Sequence, residues 1–354
     1  MLDFTSALYL GMRHSSDSLE PWVQLTTGVP AALQTPPGAL SLAATLAELQ
    51  GCERATLRTS TLHLFWDLFG MLAGEGIAIY RDEGLYPIAR WGIERASARG
   101  VRVQSFRHHD VKALRSLRAQ HRSSRARPVI VVDGYCPGCA RPAPLEDYWK
   151  CAQEFGGYLI MDDTQALGIF GQAPRKEQPY GNGGGGMLRW HNLTDRRVLV
   201  TSSLAKGFGV PVAALSGTRN AIDWFERRSE TSIHCSPPSN AALSAVAHAL
   251  DVNRDCGDAL RTRLANLIGI FRRKLQAIGL TTRGGLFPVQ TIERRGQNDA
   301  AVIHQRLLRQ GIRTVLHSAS AEREEARVSF IITARHSIEM IDRAVCALGV
   351  AAGK

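Results

Sequence analysis

The sequence predicts an α/β protein: a mostly parallel sheet covered on both faces, followed by a smaller α+β domain at the C-terminal end. Two observations carry this. Short apolar runs alternate with amphipathic helical stretches, with strand candidates at Ile77–Tyr80, Arg102–Phe106, Val129–Val132, Tyr158–Met161, Val198–Ser202 and Val212–Ser216. Helical candidates fall between the earlier ones, at Leu62–Leu72, Ile88–Arg99, Val111–His121 and Leu145–Phe155. Strands flanked by helices in this way belong to sheets buried on both faces. The second observation is the change of pattern after Asn240. A long helical stretch reaches about Ile278, and then come the apolar run Leu286–Ile292, a helix at Ala300–Gln310, a strand at Val328–Thr333 and a last helix from Ile338.

Taken in order, residues 1–40 read as an irregular arm with Pro30, Pro36 and Pro37. The helix Leu40–Leu49 follows, with Ala43, Leu46 and Leu49 on one face. Residues 41–250 form the expected large domain and 251–354 the small one. The run Gly181-Asn182-Gly183-Gly184-Gly185-Gly186 neither follows a strand nor opens a helix in this reading, so it fails as a phosphate loop and is expected to be a flexible surface insertion.

Composition narrows the function classes. The 354 residues are 44% hydrophobic and 21% charged, an ordinary globular balance. No apolar run reaches the ~18 residues a membrane span needs, and the N-terminus lacks a basic-then-apolar leader, so a cytoplasmic protein with no membrane partner is expected. The net charge of +11 is spread through several elements without a compact patch of interleaved aromatics. That argues against nucleic acid and for anionic small molecules or carriers. Seven cysteines are scattered, as suits reduced thiols. Cys136-Pro137-Gly138-Cys139 can be a redox pair or half of a zinc site, but no second such pair or His-x₃₋₅-His lies nearby in sequence. Plain loop thiols are expected there, and no metal.

Three segments carry chemistry. In the first, the apolar strand from Tyr158 ends in Asp162-Asp163-Thr164-Gln165. Ligands of open α/β sheets sit beyond the carboxyl ends of strands, where an acid faces the ligand or merely caps a turn. In the second, Val198-Leu199-Val200-Thr201-Ser202-Ser203 leads into Leu204-Ala205-Lys206-Gly207-Phe208-Gly209. A lysine among small residues is either a partly desolvated amine suited to Schiff-base chemistry or an ordinary surface lysine. In the third, Arg327 opens the apolar strand Val328–Thr333, where its planar fork can clamp a carboxylate or form a surface ion pair.

In this order, strand-Asp, then Ser-x-x-Lys-Gly, then a C-terminal Arg, the chain resembles fold-type I pyridoxal 5′-phosphate (PLP) enzymes, and within them the α-oxoamine synthases. The resemblance runs from Tyr9-Leu10-Gly11 to the last helix, through Leu72-Ala73-Gly74-Glu75-Gly76, Phe106-Arg107-His108-His109-Asp110, Asp133-Gly134, Ala143-Pro144-Leu145, Pro237-Pro238 and Ile331-Ile332-Thr333. It implies a fold-type I aminotransferase-like fold with a seven-stranded large-domain sheet. It implies that Lys206 holds PLP as a Schiff base and shuttles the α-proton, and that Asp162 pairs with the pyridine nitrogen. Gln165 lies at the residue that bonds the phenolic oxygen. Ser203, Ser60 and the backbone of Thr61 and Leu62 would bind the phosphate, and Tyr86 would stack on the ring. Arg327 would hold the substrate carboxylate. His234 and Cys235 fall where a neighbouring subunit reaches the phosphate, which implies a homodimer with shared sites.

The departures from the family are as informative. Thr26-Thr27-Gly28-Val29-Pro30-Ala31-Ala32 replaces the Gly-Ser-x-Gly-Ser-Arg stretch that helps bind acyl-CoA. Thr61-Leu62-His63-Leu64-Phe65 replaces the phosphate-cup Gly-Tyr-x-Ala-Asn, Tyr86 and Gln165 replace histidines, and Pro137 replaces a serine. Glutamine donates a hydrogen bond but cannot become cationic. The implied reaction is decarboxylative condensation of an α-amino acid with an acyl thioester, giving an α-amino ketone. The thioester is acyl-CoA or, given the basic surface, an acidic acyl carrier protein. The alternatives are an aminotransferase, decarboxylase or aldolase-type enzyme on the same fold, or a catalytically inactive PLP-fold partner protein.

Overall fold

The computed structural model describes residues 1–353 apart from 122–124, 194–196, 294–298 and 318–324. The central sheet has seven strands in the order Arg54–Arg58, Ala213–Gly217, Val198–Ser203, Tyr158–Asp162, Arg127–Asp133, Ile77–Asp82, Arg102–Phe106. Ala213–Gly217 runs antiparallel to both of its neighbours, and the adjoining pairs from Val198–Ser203 to Arg102–Phe106 are parallel. The six strand candidates read from sequence are all present, each within two residues of its expected ends. The buried pattern of Arg127–Asp133 and Tyr158–Asp162 shows why they lack alternation: both faces of the sheet are covered. One face packs a cluster that includes Leu46, Tyr148, Phe208 and Phe271, and the other a cluster that includes Phe65, Phe69, Ile93 and Phe225.

The Arg54–Arg58 strand went unread. It has three buried residues, one of them Thr56, between two arginines, and it lies at the sheet edge, where Arg54 pairs with Asp223 and Glu226 at 2.6 and 2.8 Å. The glycine run also departs from expectation. Gly184, Gly185 and Gly186 are buried, not a loose surface insertion, and Gly186 caps a short helix, Met187–His191. Backbone bonds from Gly168 to Gly184 and from Gly186 to Phe170 hold the run in place. A Cβ on Gly185 would meet the Leu49 carbonyl at 2.1 Å, so glycine is required there.

The C-terminal sheet has the order Thr281–Arg283, Val289–Glu293, Arg327–Ile331, Val315–His317, all antiparallel. The arm is partly structured: Leu2–Asp3 pairs with Ile312–Arg313, and Ser16–Ser18 forms a 3-10 turn. A single helix, Asn240–Ala277, capped by Ser239, runs without a break through the expected domain boundary at residue 250.

Candidate active site

Parallel strands end together, so Ile77–Asp82, Arg127–Asp133 and Tyr158–Asp162 each deliver a terminal aspartate to the same edge of the sheet. Asp133 and Asp162 are register partners on adjacent strands, about 5 Å apart by strand spacing. Lys206 follows the next strand. Its pKa is lowered, first by burial, while the charges of Asp162 and Asp133 pull the other way. Asp133 is raised well above the ordinary carboxylate value, by burial and then by Asp162. Asp162 is raised too, mainly by burial, against the hydrogen bonding of Thr164 and the charge of Lys206. One amine thus faces two carboxyl groups that are short of partners, the arrangement in which perturbed groups mark a working site.

The surroundings bring in several of the residues singled out from sequence. The Tyr86 ring centroid lies 6.0 Å from the Lys206 Nζ, and the Tyr86 amide donates to Asp133 Oδ1 at 3.3 Å. The Thr164 amide donates to Asp162 Oδ1 and the Thr164 hydroxyl accepts from the Ser203 amide, both at 2.9 Å. Gln165 Oε1 accepts from the buried Tyr9 hydroxyl at 2.7 Å, which leaves the amide protons of Gln165 to donate elsewhere. Asp133, Thr164 and Tyr9 were missed as site residues. Asp133 had a readable signal, since it ends an apolar run in the same way as Asp162.

Ser60, Thr61 and Leu62 lie farther along the same edge. Ala213 pairs with both Arg58 and Ser203, so the segment after Arg58 begins about 10 Å, two strand spacings, from Ser203. Ser60 is the N-cap of the helix Thr61–Leu72, but its hydroxyl bonds the His63 ring at 2.8 Å and makes no cap bond. The first amides of that helix therefore lack a side-chain cap.

His234, Cys235 and Arg327 are tied neither to Lys206 nor to the strand ends around it by any contact among the described residues. His234 is exposed at the end of the helix Glu230–His234, and the Cys235 carbonyl accepts from the Ala31 amide at 3.0 Å. Arg327 lines a groove on the C-terminal sheet with Thr281, Arg283, Thr291, Ile292, Glu293 and Glu325.

A second polar cluster lies one strand away. His108 Nδ1 bonds Asp82 Oδ1 at 2.5 Å and His108 Nε2 lies 3.3 Å from Cys139 Sγ. His109 Nδ1 lies 3.8 Å from the same sulfur. The other Asp82 oxygen accepts from the His109 amide at 3.0 Å, and Gly84 donates to Oδ1 at 2.7 Å. Burial pushes Asp82 up, yet the bonds from His108 and the His109 amide outweigh it, and its pKa ends lowered. Asp82 and Cys139 in turn push His108 up to about 10. The sequence placed no histidine near the cysteine pair; the fold brings two.

Comparison with known proteins matches this architecture. The family profile described as aminotransferase class I and II covers residues 25–348. The 8-amino-7-oxononanoate synthase of Dechloromonas aromatica is 29% identical over 280 residues, covering 78% of this chain and 69% of its own. A structure of SPT with a PLP internal aldimine aligns with TM-score 0.85 at 17% identity, covering 99% of this chain and 86% of that one. The 8-amino-7-oxononanoate synthase of Francisella tularensis aligns with TM-score 0.73, also at 17% identity, over 99% of this chain and 97% of its own.

Proposed function

The chain belongs to the aminotransferase class I and II family, and on that premise we propose that it binds pyridoxal 5′-phosphate at Lys206 and condenses an α-amino acid with an acyl thioester, releasing carbon dioxide and a free thiol. The observation that carries the proposal is one partly desolvated amine facing two buried, protonation-prone carboxyl groups beside an aromatic ring.

The residues fit the cofactor. Lys206 would hold it covalently, Asp162 would take its ring nitrogen, Tyr86 would cover one face, and Gln165 would donate to the phenolic oxygen. Ser203, Ser60 and the open amides of Thr61 and Leu62 would bind the phosphate, as helix starts bind anions. Bound there, PLP supplies an electron sink for charge developing at the substrate Cα.

The chain's own groups do the rest. Burial raises Asp162 more than the Lys206 charge can offset, so a cationic ring nitrogen beside it would stabilise its carboxylate. The lowered pKa of Lys206 favours the neutral amine that takes a proton at Nζ. Tyr9 fixes the Gln165 amide, so the phenolic side receives a neutral donor.

A homodimer is part of the reading: His234 and Cys235, which make no contact with Lys206 among the described residues of their own chain, would serve a partner's phosphate. Arg327 is kept for the substrate carboxylate on resemblance alone. The basic surface, with net charge +11, favours an acidic acyl carrier protein as donor, and equal rates with free acyl-CoA would sink that part.

The test is borohydride reduction of the purified protein followed by peptide mapping. A pyridoxyl group on the Lys206 peptide is expected, and an unmodified Lys206 peptide overturns the assignment. Release of carbon dioxide and thiol with candidate amino acids then separates condensation from transamination.

A further inference from the structure

We propose that Cys136, Cys139, His108 and His109 form a structural zinc site that clasps the edge of the central sheet, independently of the reaction proposed above. The donor atoms of His108, His109 and Cys139 all lie within 4.8 Å of one another. Zinc binds sulfur at about 2.3 Å and imidazole nitrogen at about 2.0–2.1 Å, so a tetrahedron has a nitrogen–sulfur edge of about 3.5 Å. The two edges present, 3.3 and 3.8 Å, bracket that value.

The cysteine loop has the build of a metal knuckle. Tyr135–Cys136 and Arg141–Pro142 pair as a short antiparallel hairpin. At its tip the Cys139 amide donates to Cys136 Sγ at 3.4 Å, and Ala140 adopts a left-handed φ of 58°. Cys136 lies outside the three-residue group, and the bond from the Cys139 amide keeps its sulfur beside Cys139, from where it would close in on the metal as the fourth ligand.

Asp82 completes the arrangement from behind. It holds the Nδ1 side of His108, which leaves Nε2 toward the sulfur, as a carboxylate behind a zinc-bound histidine does. Its second oxygen takes the His109 amide. His109 itself sits at a left-handed φ of 56°, a conformation that non-glycine residues seldom adopt. A simple histidine–thiolate pair needs His108 alone. It leaves unexplained why a second imidazole is held in a strained backbone with its ring 3.8 Å from the first and its Nδ1 turned to the same sulfur. Two neutral ligands on one metal explain both. The site would join the loops after Ile77–Asp82, Arg102–Phe106 and Arg127–Asp133, so zinc would brace the segment that carries Tyr86.

The experiment measures zinc in the full-length protein grown with added zinc and dialysed without chelator. About one zinc per chain is expected, with X-ray absorption at the zinc edge giving two sulfur neighbours at about 2.3 Å and two nitrogens at about 2.0–2.1 Å. Cys139→Ser should remove it, while Cys346→Ser, at an exposed thiol on the last helix, should retain it. Wild-type protein with less than about a tenth of an equivalent overturns the proposal. So does a Cys136–Cys139 disulfide in the protein as purified. A single sulfur neighbour removes Cys136 from the ligand set and with it the closed site. The absorption measurement uses wild-type protein, so the result stands even where a variant fails to fold.

Discussion

Asp82 and Asp133 end adjacent strands of one sheet and meet opposite fates. Asp82 is buried and satisfied: two backbone amides and an imidazole bond its oxygens, and its carboxylate is held below the ordinary range. Asp133 has one long amide bond, from Tyr86, and a like-charged neighbour in Asp162, and it is pushed up. The difference separates framework from function. Where the chain provides every partner, an acid holds loops together. Where partners are withheld, the acid keeps an unmet demand that Lys206 and a bound ligand can answer.

Asp162→Asn should break the functional half of this contrast with the largest effect. Removing a group that sets charge at the reacting centre is expected to lower kcat by about 10²–10⁴-fold, while folding is retained. Steady-state kinetics beside circular dichroism checks it, and a loss below about tenfold would mean that Asp162 is no more than a turn cap.

Asp82→Ala tests the framework half. It strands the His109 and Gly84 amides and the His108 ring, so a loss of about 2–4 kcal/mol in urea unfolding is expected. Lost activity should follow lost stability.

The smallest effect belongs to Asp133→Asn, and its sign is the sharper test. Asp133 is raised in the folded state, so its contribution is fully present below the unfolded carboxylate pKa and is lost as pH rises through the folded value. Asp82 is lowered, so its contribution is present above the unfolded value and is lost as pH falls through the folded one. Asp133→Asn should therefore flatten the stability decline from about pH 4 upward and leave the acid limb unchanged. A steeper decline would break the comparison.

The strands of the large sheet were legible because burial on both faces writes uninterrupted apolar runs, as at Val129–Val132. Lys206 and Asp162 were legible because each follows such a run. The Arg54–Arg58 strand was hidden because an edge strand paired with acids from a helix reads as charge, not as core. The glycine run was misread because its burial is made by backbone atoms, which leave no hydrophobic signature. The partnership of Asp133 with Lys206, and of His108 and His109 with Cys139, depends on strand ends meeting across the fold, and no spacing along the chain expresses that. Tyr9 reaches Gln165 from the arm, where the sequence offered no periodicity.

The helix Asn240–Ala277 spans about 57 Å at 1.5 Å per residue. Arg261 bonds the Gly168 carbonyl of the large domain at 2.8 Å, and Arg263, two residues on, bonds the Ala334 carbonyl beyond the C-terminal strand at 2.7 Å. Grips on both bodies within a single turn leave little free chain to act as a pivot. If the C-terminal sheet shifts when substrate arrives, the movement has to be a shear of packed side chains along this rod and not a swing about a linker. Amides around Arg261 should then exchange with solvent as slowly in the resting enzyme as in the working one.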